Sequence, residues 1–562
     1  MERSFTTRET IVMSLGKIRD SIKRAIAAKP SVVPASIKKT QSSMLRNPIR
    51  LNNRELCGHI MEMIGFMIIV DDDHSEHSLE ALYKRLKSTY GVKEEEVLIM
   101  ECFMKTKNCK KFIIESNKMR RYYRSLLDKA STGEIVAFFR MHMKPMLYEK
   151  KNMGMVFTPF ELIDDLLDRL PDHVWSNPNN TFIDPSAGMG AFLWRIYERL
   201  MKRREHVRRF PNEQDRRNHI VSIMLFAIEI DDLNVDLLRR IFGPNLRIYK
   251  GDALTFNPIR AFGRRRFTCI VGNPPFESMQ TKDSKKTAGD SLWPFFVQKA
   301  LEEWMEPAGC FAMLLPPGWR KPASGKSRNT GLMQLMNVNN RITHLEMYDA
   351  QRAKKAFEGN VAIQFDLVNI QGGRSSRQHE TFVKGVESDT FQKVKLYGMP
   401  FIPNGNLTTW RRLLLRGDGG RPCKVHYSCV LEKRKGSTKV KNVREGEFMY
   451  PVINSIHKNG QPFFEFSSTK PREAGFGVPK VIFNQFGNWN KTILDIGGRY
   501  GMTQNAFCLE VSSRQEADRI MRFFHDDEVL NIFNQDLKWG TSVQHVFWKL
   551  FHYLPHDFYN YF

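Results

Sequence analysis

The 562 residues hold eight cysteines, at positions 57, 102, 109, 269, 310, 423, 429 and 508, and none of them forms a Cys-x-x-Cys pair. With neither zinc spacing nor a disulfide framework, the expectation is a reduced compartment and no structural metal. Cys423, His426 and Cys429 lie close together, but a fourth ligand is missing and no metal is assigned there. Long apolar runs are also lacking: Ile64 to Val70, the nearest candidate, is far too short to span a membrane. The basic, serine-rich start from Met1 to Pro48 has no apolar core of a secretion signal. Acids are in deficit, 61 Asp and Glu against 86 Lys and Arg, for a formal charge of +25. Such an excess points to a polyanionic partner, because each neutralised phosphate releases counterions. An intracellular protein with no membrane contact is expected.

What is present gathers at strand ends. Residues 267–276 read FTCIVGNPPF, in which Cys269-Ile270-Val271 suits a buried strand and the two prolines stop it abruptly. The rigid turn that results carries a side-chain amide, carbonyls beside proline rings, and an aromatic ring. The Asn273 side-chain oxygen and the Pro274 carbonyl are each able to accept one hydrogen of a planar amino group, with Phe276 stacked on its plane. Taken alone, the tetrapeptide reads first as a proline-rich loop after a core strand.

Upstream, Phe182 to Leu193 reads FIDPSAGMGAFL: strand, acidic turn, glycine loop, helix. Gly188 and Gly190 allow close backbone approach, and the helix from about Ala191 aims its positive end at the same place. Leu193 stands where a dinucleotide fingerprint has its third glycine, which counts against NAD or FAD and suits a smaller nucleoside ligand. Two more strand ends follow. Ile223 to Ile228 runs into Glu229, an acid placed for ribose hydroxyls, and Leu246 to Tyr249 leads to Gly251-Asp252, where the acid suits an adenine amino group. About 45 positions separate Asp184 from Glu229, whereas about 20 are usual. The excess, Met201 to Ile220, is dense in arginine and reads as an insertion, either a solvated helical face or a contact to a DNA backbone.

In this order the motifs resemble the S-adenosylmethionine-dependent amino-methyltransferases of DNA, of the N6-adenine type with an Asn-Pro-Pro-Phe tetrad after the cofactor motifs. The resemblance covers roughly residues 150–370. It implies an α/β, Rossmann-like class I methyltransferase domain with a mostly parallel seven-stranded sheet, S-adenosyl-L-methionine as cofactor, and an adenine flipped out of double-stranded DNA. It implies that Phe157, Thr158 and Pro159 touch the methionine part of the cofactor. Asp184, Pro185, Ala187, Gly188 and Gly190 would form its loop, Glu229 with Ile230 would take the ribose, and Asp252 with Ala253 the adenine. Asn273 would border both cofactor and base. Asn273, Pro274, Pro275 and Phe276 match the catalytic tetrad, and Phe276 and Phe357 the two stacking walls. Ser291-Leu292-Trp293-Pro294, with the helical stretch to Leu301, is similar to the family's next block, and Gly309 to Pro316 to its fifth strand. The polar loop Glu277 to Asp290 is expected to order over substrate.

Four regions are expected: a basic flexible arm (1–50), a helical domain (51–150), the methyltransferase domain (151–395) and a mixed α+β target-recognition domain (396–562). In the last, Arg434, Lys435, Lys439, Lys441, Arg444 and Lys470 are candidate DNA contacts, while Trp489, Tyr500 and Trp539 suit either contact or core. Rival readings are an RNA base amino-methyltransferase, an N4-cytosine enzyme, a methylase of protein glutamine and a non-enzymatic DNA-binding relic. A fused nuclease is disfavoured, because Glu149-Lys150-Lys151 sits too near Phe157 to have its own sheet. A monomer is expected, and any cognate restriction endonuclease would be a separate chain.

Overall fold

Strands form where short runs of apolar residues are buried on both sides, as parallel sheets require. The structure, a computed structural model, describes residues 158–276, 291–322, 327–357, 363–414, 421–432, 439–485, 487, 489–539 and 547–561. The expected arm and helical region, Phe157, the loop 277–290, residues 358–362, Arg434 and Lys435 lie outside the described residues. Two compact units are distinguished.

Of the described residues, the first unit takes 158–160, 175–263, 275–276 and 291–292. Its parallel strands run in the order β3-β2-β1, with β1 at Phe182–Asp184, β2 at Leu225–Glu229 and β3 at Arg247–Lys250. β1 and β2 are buried throughout, whereas the outermost β3 is exposed at both ends. The helix Ala191–Lys202 begins where expected and buries Phe192, Leu193, Ile196 and Leu200 along one face.

The arginine-dense insertion folds as helices Arg204–Arg209 and Glu213–His219. Two of its arginines and both histidines turn inward. Arg216 Nη1 donates to the Phe210 carbonyl at 2.7 Å, Arg217 reaches Tyr197 Oη and the Ile241 carbonyl, and His206 and His219 contact the Trp175 and Pro178 carbonyls. Lys202, Arg204, Arg208 and Arg209 remain exposed. A π-helical turn, Ile220–Met224, then takes up Ile223 and Met224, so β2 starts two residues later than the apolar run suggested.

The second unit takes 161–174, 264–274 and the described residues from 293 onward. Six of its strands run in the order β4-β5-β7-β6-β8-β9. They are β4 (Phe267–Gly272), β5 (Met305–Leu315), β6 (Arg341–Tyr348), β7 (Phe365–Gln371), β8 (Thr381–Lys384) and β9 (Gln392–Val394). β4 and β5 are parallel, with Cys269 opposite Cys310, and β7 runs antiparallel to both β5 and β6. The mostly parallel, Rossmann-like sheet is as expected; β8 and β9 come in addition to the seven strands anticipated.

The C-terminal part is mixed α+β. One sheet orders β10 (Val425–His426), β17 (Ala506–Glu510), β14 (Lys480–Asn484) and β15 (Thr492–Asp495). The other orders β11 (Val440–Lys441), β13 (Pro462–Ser467), β12 (Tyr450–Ile456) and β16 (Gly501–Met502). Helices Arg514–His525 and Asp527–Asp536 contribute Phe523, Phe524 and Phe533 to a core with Phe483, Trp489, Phe507 and Trp539. Trp489 and Trp539 are therefore core residues, and Tyr500 packs half-buried on Phe464. No described helix is long and apolar enough to cross a membrane.

Candidate active site

The carboxyl ends of β1, β2 and β3 converge on the glycine loop. The Asp184 carboxylate is buried and accepts the Ser186 backbone N–H at 3.0 Å, which fixes the acidic turn. Burial, with Glu229 nearby, raises its pKa from the ordinary 3.8 to about 7. Gly188 and Gly190 both have positive φ, +52° and +84°. Their roles differ. A Cβ on Gly190 would strike Leu238 Cδ2 at 2.6 Å, so that glycine serves packing, whereas a Cβ on Gly188 would meet only the Ser186 carbonyl, at 4.0 Å. The face of the loop at Gly188 is open.

Glu229 is the hub. Its Oε2 accepts the Gly188 N–H at 2.6 Å and its Oε1 those of Ile230 and Asp231 at 2.9 and 2.8 Å, while its carbonyl accepts the Gly251 N–H at 2.9 Å. The Ala187 N–H donates to the Ile228 carbonyl at 3.0 Å. One residue, by its side chain and its carbonyl, thus ties the loop to the ends of β2 and β3, and Oε2 keeps acceptor capacity for a further donor. Burial raises its pKa against the pull of those N–H groups.

Beside it Ile230 is 51% exposed, an apolar side chain held out at the strand end. Asp252 is exposed; one carboxylate oxygen caps the short turn Ala253–Thr255 through the Leu254 N–H at 2.8 Å, and Ala253 is buried. Pro185 and Ala187 are buried within the loop. Thr158 is buried and Pro159 half-buried just before the helix Phe160–Asp168.

β4 ends at Gly272 as the prolines require. Asn273 is half-buried, Pro274 buried, and Pro275 and Phe276 half-buried. The Phe276 carbonyl accepts the Leu292 N–H at 3.3 Å. Phe357 ends the helix Ala350–Ala356 and is buried, its ring edge-on to Phe365 at 5.5 Å. Cys423 is buried and donates to the Pro555 carbonyl, while His426 pairs with Glu510 at 2.8 Å. Sequence reasoning quoted Ser186 within the loop but gave it no role; its backbone N–H closes the turn that the Asp184 side chain makes two positions on.

Parallel strands with a glycine loop after β1 and acids at the next two strand ends make a Rossmann-like arrangement. Residues 143–314 match the family model described as N-6 DNA Methylase. An 88-residue stretch is 38% identical to an uncharacterized adenine-specific methylase of Mycoplasma pneumoniae; it spans 15% of this chain and 20% of that protein. The chain thus covers only about a fifth of the length of that curated relative. Among solved structures, it is similar to the type IIL restriction-modification enzyme MmeI in complex with DNA, at 10% identity over 90% of this chain and 84% of that one, with a TM-score of 0.41. It is also similar to the M protein of the type I restriction enzyme EcoKI, at 12% identity over 66% of this chain and 71% of that one, with a TM-score of 0.31.

Proposed function

We propose that the chain is a site-specific DNA methyltransferase that modifies the N6 amino group of adenine, using S-adenosyl-L-methionine. The observation that carries the proposal is the Asn273-Pro274-Pro275-Phe276 turn at the end of β4, in a chain whose residues 143–314 match the N-6 DNA methylase family. The residues fit the cofactor: an open loop face at Gly188, two buried acids, a spare acceptor on Glu229 and the exposed Ile230 suit a nucleoside with a charged tail. Asp184, Pro185, Ala187, Gly188, Gly190, Glu229, Ile230, Asp252 and Ala253 would hold it, with Phe157, Thr158, Pro159 and Asn273 bordering it. Bound there, it supplies the methyl group as an activated sulfonium.

The protein's share is positioning and electrostatics. The adenine amino nitrogen is a weak nucleophile because its lone pair is delocalised into the ring. The Asn273 amide oxygen and the Pro274 carbonyl accept its two hydrogens, draw it toward tetrahedral geometry and stabilise the charge that develops there. The target base must leave the stack to reach them. Phe276 stacks on one face of it, and Phe357 on the other once its ring turns from Phe365.

Residues 396–562 act as the target-recognition region. Lys439, Lys441, Arg444 and Lys470 are exposed there, and Lys441 and Lys470 lie over the rings of Phe448 and Tyr450 at 4.7 and 4.4 Å. The enzyme works inside the cell as a monomer, and any cognate endonuclease is a separate chain.

The test is the modification state of DNA from cells expressing the chain against Asn273→Ala, read by single-molecule sequencing. A recurrent methyl-adenine motif that disappears in the variant is expected. Unmodified DNA in both, from a protein that binds the cofactor, would move the substrate to RNA or protein.

A further inference from the structure

A buried polar chain runs through the second unit from the edge of the sheet into the C-terminal region. Asp366 lies near the start of β7, opposite Leu315 of β5 and Met347 of β6, at the carboxyl ends of both strands. The neighbouring strand β4 presents Asn273 and Pro274 at the same edge, since Gly272 stands opposite Met313 of β5. The Asp366 carboxylate is 0% exposed and accepts Arg320 Nε at 2.8 Å, Arg320 Nη2 at 3.0 Å and Trp319 Nε1 at 3.0 Å.

Arg320 sits in the turn Pro317–Arg320 that follows β5, 2% exposed. Its third nitrogen, Nη1, donates to Asn404 Oδ1 at 2.9 Å and to the Ile402 carbonyl at 3.2 Å. The Arg320 carbonyl accepts the Ile402 N–H at 3.0 Å. Asn404 carries the line onward. Its Nδ2 donates to the carbonyls of Gln535 and Lys538 at 2.9 and 2.7 Å, and its backbone N–H to that of Asp536 at 2.7 Å. The Asp536 carboxylate accepts Asn406 Nδ2 and Trp410 Nε1.

Stability alone is a weak reason for such a chain. A buried ion pair gives up so much hydration that apolar residues of the same shape commonly hold a fold as well or better. A two-pronged guanidinium on a carboxylate supplies direction instead, since both bonds form at one angle only. The elements so joined are the strand edge beside the Asn273 turn and the end of the helix Asp527–Asp536.

We propose that Arg320, Asp366 and Asn404 are positioning residues that hold residues 396–562 at a fixed angle to the Asn273 turn, so that a base drawn from DNA gripped by that region arrives within reach of the Asn273 and Pro274 acceptors. The inference rests on the methyltransferase function proposed above. None of the three residues touches the base; they act through the frame.

The decisive variant is the double substitution Arg320→Met with Asp366→Leu, which removes both charges together and orphans neither. Its melting temperature, its affinities for cofactor and for DNA, and its single-turnover methylation rate are measured beside the wild-type chain. Melting is expected to fall somewhat, since Trp319 Nε1 and Asn404 Oδ1 each lose a partner; both affinities are expected to hold, while the rate falls on the order of 100-fold, the loss a displacement of about 1 Å brings. Should the double variant fail to fold, Asn404→Ala decides the matter: it leaves the Arg320–Asp366 pair intact and removes the side-chain part of the onward link. Slower turnover at unchanged affinity, with methylation spilling onto sites that depart from the motif, is expected of it. A folded variant with wild-type rate and wild-type motif overturns the inference and leaves the proposed function standing. A wild-type chain that transfers no methyl to DNA overturns both.

Discussion

A carboxyl group with no water around it keeps its proton, and Asp184 is such a group. It titrates near pH 7 in the folded chain against an ordinary 3.8. Its contribution to stability is therefore complete below the unfolded value, is lost as pH rises through about 7, and is level above that. A sulfonium-bearing ligand has the opposite preference, since it favours the ionised acid. Affinity for S-adenosylmethionine should thus climb from about pH 6 to about pH 8, and Asp184→Asn should flatten the curve. Calorimetry across that range checks it, and a level wild-type curve would contradict it. Sequence alone marked Asp184 and Glu229 as strand-end acids. It did not disclose that Glu229 binds the N–H of Gly188, because that partner is 41 positions away and nothing local encodes it.

Among the elements, the glycine loop was the most legible: two glycines between an apolar strand and an amphipathic helix have few other uses. Which glycine serves packing was not legible, because Leu238 and Phe242 come from a helix far along the chain. Gly190→Ala should cost about 1–2 kcal/mol for its left-handed backbone alone, and the clash with Leu238 adds to it. Thermal unfolding should record a lower midpoint, and cofactor titration a weaker constant. An unchanged midpoint would mean the loop has slack that the 2.6 Å approach does not suggest. The helix Arg514–His525 carries a local start signal, since the Ser513 hydroxyl accepts the Glu516 N–H at 3.1 Å. The inserted segment was readable only as charge. Whether an arginine faces water or a carbonyl depends on elements such as Tyr197 and Ile241, which the segment meets only once folded. The start of β2 was misjudged for a related reason, since the residues of a π turn before a strand are as apolar as the strand itself.

At the scale of the whole molecule, composition points to a polyanionic partner, and an excess of +25 should make the proposed DNA binding strongly salt-dependent. A protein that neutralises roughly 6–10 phosphates loses about 10³–10⁵ in affinity between about 50 and 200 mM salt. Fluorescence anisotropy over that range should give a steep line, and a flat one would remove the backbone grip assigned to the basic C-terminal face. The order β4-β5-β7-β6 agrees with the class that the motifs implied. The ribbon β8-β9 was not foreseen, because strands of four and three residues leave too little periodicity to read.

That ribbon has a bearing on behaviour in concentrated solution. An outermost strand offers unpaired amide and carbonyl groups to any other chain, which is how sheets fuse edge to edge. In the second unit the outermost strand is β9, only three residues long and carrying Lys393; in the first it is β3, which bears Arg247 and Lys250. Two copies approaching along either strand would bring like charges together before the first hydrogen bond formed. The protein carries its guard against fibril-like growth at the margins of its own sheet.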